Sequence, residues 1–261
     1  MRKIRRCLCS WDLLIFHASC ALRAEFTRYY LHFIWWFLEP IFNLVILYLV
    51  FGVFLASKVP NYTLFLLTGL VLWQWFATTV PHATISIYSS MRMFQQFRVS
   101  PIHFPLCVFL QDLAKYTPVF LVFLLAAAIF SPTGPSLVWL QIVPVMLIEG
   151  LCVAGTAILV AALVPFLPDL AVVIPIMVQA LFFASGIFFD IDRVVLAQHQ
   201  MILYFNPNAV CIKSMRDIIL AGNSPDWSLL GYAFLLSLSI FIVGFTLAIS
   251  CRKIYPRIIE Q

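Results

Sequence analysis

The run LLGYAFLLSLSIFIVGFTLAI, residues 229–249, holds 21 residues without one charged side chain. At about 1.5 Å of rise per helical residue it reaches ~30 Å, the thickness of a bilayer's hydrocarbon core. Five further apolar blocks precede it, at residues 32–56, 62–87, 104–130, 137–163 and 170–189, with the sixth taken as 229–250. The expected fold class is therefore an all-α membrane protein of six transmembrane helices.

Composition agrees. Of 261 residues, 63% are hydrophobic and 10% charged, and the mean hydropathy is +1.01. Soluble domains carry about 25% charged residues, so water is not the main solvent of this chain. The crossings use most of the length, and residues 1–261 read as a single membrane domain.

The positive charges are asymmetric. With the amino terminus inside, Arg2, Lys3, Arg5, Arg6, Arg23, Arg28, Arg92, Arg98, Arg252, Lys253 and Arg257 face the cytoplasm, whereas Lys58, Arg193, Lys213 and Arg216 face outward. The positive-inside rule then puts both termini in the cytoplasm. A nucleic-acid partner is disfavoured, because no basic folded domain carries these charges. Seven cysteines are an odd number and imply no disulfide framework. Cys7-x-Cys9 lacks nearby partner ligands, so no metal site is expected. Arg2–Arg6 followed by Leu8–Phe16 imitates a secretory signal, but Asp12 interrupts it and no small-residue cleavage site follows.

Residues 10–31 are amphipathic: Leu14, Ala18, Leu22 and Phe26 share one helical face, with Asp12, Ser19, Arg23 and Thr27 opposite. Such a helix lies along the membrane surface. A polar inner loop, residues 89–103, joins the second and third crossings. One long segment, 190–227, does not span. In it Asn206-Pro207 is a good helix start and Gly222 a good stop. It is expected outside, dipping back as a re-entrant element.

Chemistry must come from what interrupts the apolar runs. Glu39, Asp112, Lys115 and Glu149 are the charges within the crossings, and intramembrane charges are functional candidates by default. Asp112 and Lys115 can pair three residues apart on one helix face. No phosphate-binding G-x-x-x-x-G-K-[ST] loop, zinc-type histidine spacing or G-x-S-x-G elbow occurs. Nucleotide binding and intramembrane hydrolysis by this chain are thereby disfavoured. Aromatic residues reach 16%. Those that are not interfacial anchors can stack on sugar C–H faces along a channel.

Leu22-Arg23-Ala24-Glu25-Phe26-Thr27-Arg28-Tyr29 and Trp36-Phe37-Leu38-Glu39-Pro40 resemble the amino-terminal signature of type 2 ABC exporter permeases. The Leu38-Glu39-Pro40 ending is most similar to the capsular-polysaccharide branch. Phe97-Arg98-Val99-Ser100-Pro101, Leu167-Pro168-Asp169 with Ile174-Pro175-Ile176, and Phe205-Asn206-Pro207 extend the likeness over nearly the whole chain. The resemblance implies a half-transporter in the bacterial inner membrane. Its partners would be a second copy, two ATP-binding-cassette subunits that bind ATP and Mg, a lipid-linked polysaccharide, and periplasmic export proteins. By position, Arg23, Glu25, Arg28 and Tyr29 become the interface or gate helix. Arg92, Gln96, Arg98 and Pro101 become the coupling loop. Phe33, Trp36, Glu39, Phe182, Phe183 and Phe188 line the channel, and Asn206, Pro207, Lys213 and Arg216 belong to the outer element.

Capsular polysaccharide is the favoured cargo, with O-antigen or teichoic acid behind it. A rival of another class is an ion-coupled carrier using Glu39, Asp112 and Glu149. A membrane-embedded glycan or lipid enzyme is the weakest reading, for want of a nucleophile or metal constellation.

Overall fold

Every regular element in the described residues is helical, as a chain denied water must be if its backbone groups are to be satisfied within each segment. The computed structural model describes residues 11–28, 32–54, 59–90 and 99–255. Helix α1 covers Trp11–Arg28 and α2 covers His32–Leu47, continued by a π-helical stretch, Tyr48–Phe54. Then come α3 (Tyr62–Thr84), a short α4 (Ser86–Ser89), α5 (His103–Phe130), α6 (Ile142–Leu163) entered through a tight turn at Leu137–Gln141, and α7 (Leu170–Ala184). The hairpin expected on the outer side holds α8 (Ile191–Val194), α9 (Ala197–Tyr204) and α10 (Pro207–Ile219), and α11 (Trp227–Ser250) completes the bundle.

Among the described residues five helices are long and apolar enough to cross a bilayer. The expected fifth crossing, 170–189, is shorter. Helix α7 stops at Ala184, 15 residues in, because Gly186 takes a left-handed φ of 66° that turns the chain out of the helix. At ~1.5 Å per residue, α7 covers about 22 Å.

Helices α3 and α6 form the centre. Their apolar windows are 72% and 67% buried, against 6% for the α2 span, 17% for α5 and 22% for α11. Helix α6 meets α11 through small residues. A Cβ on Gly155 would stand 2.8 Å from the Phe241 backbone nitrogen, and one on Gly244 would stand 2.9 Å from that of Leu159. Lipid tails are as apolar as leucine, so close backbone approach takes over the role hydrophobic burial plays in water.

Helix α1 lies against α5: Leu14 and Ala18 of its expected apolar face are buried, while Phe16 is 68% exposed. The outer helix α10 starts as expected. Asn206 accepts the Asn208 amide proton at 3.1 Å, Pro207 takes the first helical position, and Ile212, Met215, Ile218 and Ile219 are buried.

Candidate functional site

Helix α2 carries Glu39 and Asn43 four residues apart, and α3 carries Gln74, Thr78 and His82 at the same interval. That spacing aligns each set along one helix face. The packing of α2, α3, α5 and α7 turns these polar edges into one groove. Its inner part is a cavity of about 430 Å³ lined by Glu25, Trp35, Trp36, Glu39, Gln74, His82, Asp112 and Lys115. Its middle part, about 330 Å³, is lined by Glu39, Asn43, Trp73, Gln74, Gln179, Phe182 and Phe183. Glu39, Gln74 and Thr78 belong to both, which makes the two cavities continuous.

Glu39, Asn43, Thr78 and Gln179 are exposed although they sit within apolar helices. A carboxylate and amides facing hydrocarbon would each be costly. This face of the bundle is therefore suited to water or a polar partner rather than to lipid. A hydrogen bond ties the stripes together across it, from Gln74 Nε2 to Glu39 Oε2 at 3.2 Å.

The end of the groove beside α1 is an ionic chain. Lys115 Nζ lies 2.6 Å from Glu25 Oε2 and 3.4 Å from Asp112 Oδ1, and His82 Nδ1 lies 3.0 Å from Asp112 Oδ2. Gln111 also donates to Glu25, at 3.2 Å. The expected Asp112–Lys115 pair is present, but the shorter contact reaches back to α1. A second pin holds α1 at His17, whose ring stacks on His103 with 5.5 Å between centroids. Together the two contacts fasten α1 to α5 over nearly half its length.

At its other end the groove reaches Phe182 and Phe183, on the approach to the hairpin. Phe188 sits under it, 4.6 Å from Phe51 and 5.9 Å from Phe183 by ring centroids. Arg216, read from sequence as an outward charge, turns inward. Its guanidinium donates to the carbonyls of Gly186 (2.8 Å), Ile187 (2.7 Å) and Phe65 (3.2 Å), and lies 3.4 Å from the Phe65 ring centre. It satisfies carbonyls left open where α7 ends and so locks α10 to α3. Gly69 makes room for it: a Cβ there would come within 2.7 Å of the guanidinium. Lys213 pairs with Asp192 at 2.5 Å and lies over the Tyr204 ring. Burial alone would raise the Asp192 pKa, but hydrogen bonds from Lys213 and Tyr204 outweigh it and hold the carboxyl below its ordinary value. Asp217 has the opposite fate. Burial, helped by Asp192, Asp190 and Asp226, raises it to about 6 against the pull of Lys213.

Of the residues named from sequence as channel candidates, Trp36, Glu39, Phe182 and Phe183 line the groove and Phe188 stands at its end. Glu25 joins the groove, whereas Arg23 is on the exposed side of α1. Pro101 is buried at the entry to α5. Tyr29, Arg92, Gln96 and Arg98, and the side chains of Arg28 and Phe33, lie outside the described residues. Asn43, Gln74, Thr78, His82 and Gln179 were not singled out by sequence, although the four-residue spacing on α2 and α3 was a usable signal. Glu149 does not line the groove. It is 1% exposed, and the Asn208 amide, turned with its nitrogen inward, donates to both carboxylate oxygens at 2.8 and 3.1 Å. The three acids of an ion-coupled relay are therefore not gathered in one place. Among the described residues no group of three or more His, Cys, Asp or Glu side chains is placed to hold a metal.

The family model of the ABC-2 type transporter matches residues 19–220. An O-antigen export system permease protein, RfbA, of Klebsiella pneumoniae is 25% identical over 252 residues, covering 95% of this chain and 92% of its own. The polysialic acid transport protein KpsM of Escherichia coli is 23% identical over 228 residues, 87% of this chain and 88% of its own. An RfbA of Myxococcus xanthus is 34% identical over a 64-residue stretch, 24% of this chain and 25% of its own. With a membrane bundle whose polar face opens along the spans, and a family match across most of its length, this chain belongs to the ABC-2 type transporter family.

Proposed function

We propose that this chain is the membrane subunit of an ATP-driven exporter that moves a lipid-linked polysaccharide out across the bacterial inner membrane. The observation that carries the reading is the groove: polar edges at bilayer depth, flanked by Trp35, Trp36, Trp73, Phe182 and Phe183. Hydroxyl-rich chains suit such walls, since amides and a carboxylate exchange hydrogen bonds while flat rings hold sugar C–H faces without fixing register. Two copies facing each other would enclose the groove as a lumen and remove the polar stripes from lipid. Two separate ATP-binding subunits would supply the energy, docking at the loop before Pro101 and at α1. The ionic chain then relays their movement, because α1 cannot shift without pulling Lys115 and with it α5.

Relatives include both an O-antigen permease and a polysialic acid transporter at nearly equal identity. Capsule was favoured on the Leu-Glu-Pro resemblance, and this near-equality puts O-antigen level with it. The shared class is the proposal.

The test is a chromosomal deletion complemented by the wild-type gene, with lipid-linked polysaccharide assayed on each face of the inner membrane. Deletion should strand polysaccharide on the cytoplasmic leaflet, and the chain should copurify with an ATP-binding subunit. Uphill transport by the purified chain alone, driven by a proton gradient, would overturn the reading.

A further inference from the structure

Resting on the polysaccharide reading, we infer that the groove selects uncharged or amine-bearing sugar units and turns away polyanionic chains, with Glu39 as the residue that sets this preference. The groove collects charged groups from four elements: Glu25 from α1, Glu39 from α2, His82 from α3, and Asp112 with Lys115 from α5. Both basic groups already face carboxylates. Lys115 sits within 3.4 Å of Glu25 and Asp112, and His82 within 3.0 Å of Asp112. Toward the middle of the groove neutral amides, a hydroxyl, rings and aliphatic side chains follow, and among the described residues Glu39 is the one charge lining that part. The guanidinium at the outer end, Arg216, is directed at three backbone carbonyls and offers no cationic station to a passing chain.

A carboxylate in a narrow, ring-walled passage acts on a polymer more strongly than it would in open water, because the surrounding dielectric is low. Glu39 accepts from Gln74 through Oε2 at 3.2 Å and is exposed to the groove. It can take hydroxyl hydrogens from a pyranose, or pair with an ammonium on an amino sugar. A carboxylate on every unit of an acidic polymer would meet the same oxygen as a like charge. A second copy of the chain facing this one would double that charge.

The test uses the full chain in its export complex, in lipid nanodiscs at low ionic strength. Tryptophan fluorescence is titrated with three hexasaccharides: chitohexaose, its de-N-acetylated cationic form, and α2,8-linked hexasialic acid. The wild type should bind the first two at least roughly tenfold more tightly than the third, a gap that closes in high salt. Glu39→Gln, nearly isosteric, should narrow the gap about threefold or more with an unchanged melting temperature. Glu39→Lys should reverse it, and a failure of that variant to fold leaves Glu39→Gln to decide. Equal affinity of the wild type for the neutral and sialic hexamers would overturn the charge preference and leave the polysaccharide reading intact. Absence of quenching by all three would overturn both.

Discussion

The contact between α6 and α11 offers a measurement with its own control. Substituting Gly155→Ala puts a methyl group 2.8 Å from the Phe241 nitrogen and 2.9 Å from its Cα. Both atoms are backbone, so no rotamer can relieve the overlap. Ordinary contact begins near 3.4 Å, so the helices must part locally by about 0.6 Å. That opening disturbs the fully buried Ala233, Ser237 and Ala248 on α11. Overpacking of this kind costs about 1–3 kcal/mol. For a protein of this size it should lower the melting temperature by roughly 2–12 °C. Gly231, on the same α11, has nothing within 4 Å of a built Cβ. Gly231→Ala should be neutral or gain about 0.5–1 kcal/mol from the lost freedom of the unfolded chain. The assay is thermal unfolding in one detergent, followed by tryptophan fluorescence, with both variants against wild type. If Gly155→Ala melts within about 1 °C of wild type, the close-packing argument for this helix pair is wrong.

Other outcomes follow from the two mouths of the groove. Lys115→Met removes the bridge between Glu25 and Asp112; amide exchange in residues 11–28 should quicken and export should fall while membrane insertion holds. Arg216→Met strands the carbonyls of Gly186 and Ile187, at about 1–3 kcal/mol each; a chemical-denaturation midpoint equal to wild type would refute the clamp. Asp217 is drawn from 3.8 up to about 6 on folding, so its stabilising contribution is whole below about 3.8 and is lost as pH rises through 6. Asp217→Asn should therefore gain nothing at pH 3.5 and, after screening on its open side, about 1 kcal/mol at pH 7.5, read from melting curves across that range.

The bundle itself was legible because apolar length survives any tertiary detail: 137–163 and 229–250 reappear almost residue for residue as helices. Asn206-Pro207 was equally legible, since capping is a local transaction between a side chain and the next turn. Helix α7 was drawn too long because Phe188 and Phe189 are apolar enough to extend a hydropathy window past Ser185-Gly186. The groove was harder to see. Asn43, Gln74, Thr78 and Gln179 are neutral, barely lower the mean of the helices that carry them, and become conspicuous only when three helices bring them together. Lys115 had an obvious partner three residues away, and nothing in the sequence connected it to Glu25, 90 positions earlier. The inward turn of Arg216 depends on carbonyls from two other segments.

The loosened coil at Tyr48–Phe54 sets the timing of the first crossing. Each wider turn absorbs an additional residue, so this stretch rotates less per step than the helix before it. That slack lets Phe51 stack on Phe188 while Glu39, twelve positions earlier, keeps its place beside Gln74. Deleting one amino acid there would let the coil close to an ordinary helix, whereas deleting one from the α-helical residues 41–47 would swing the two halves out of phase by about 100°, turning the carboxylate away from Gln74 with no single contact having been mutated.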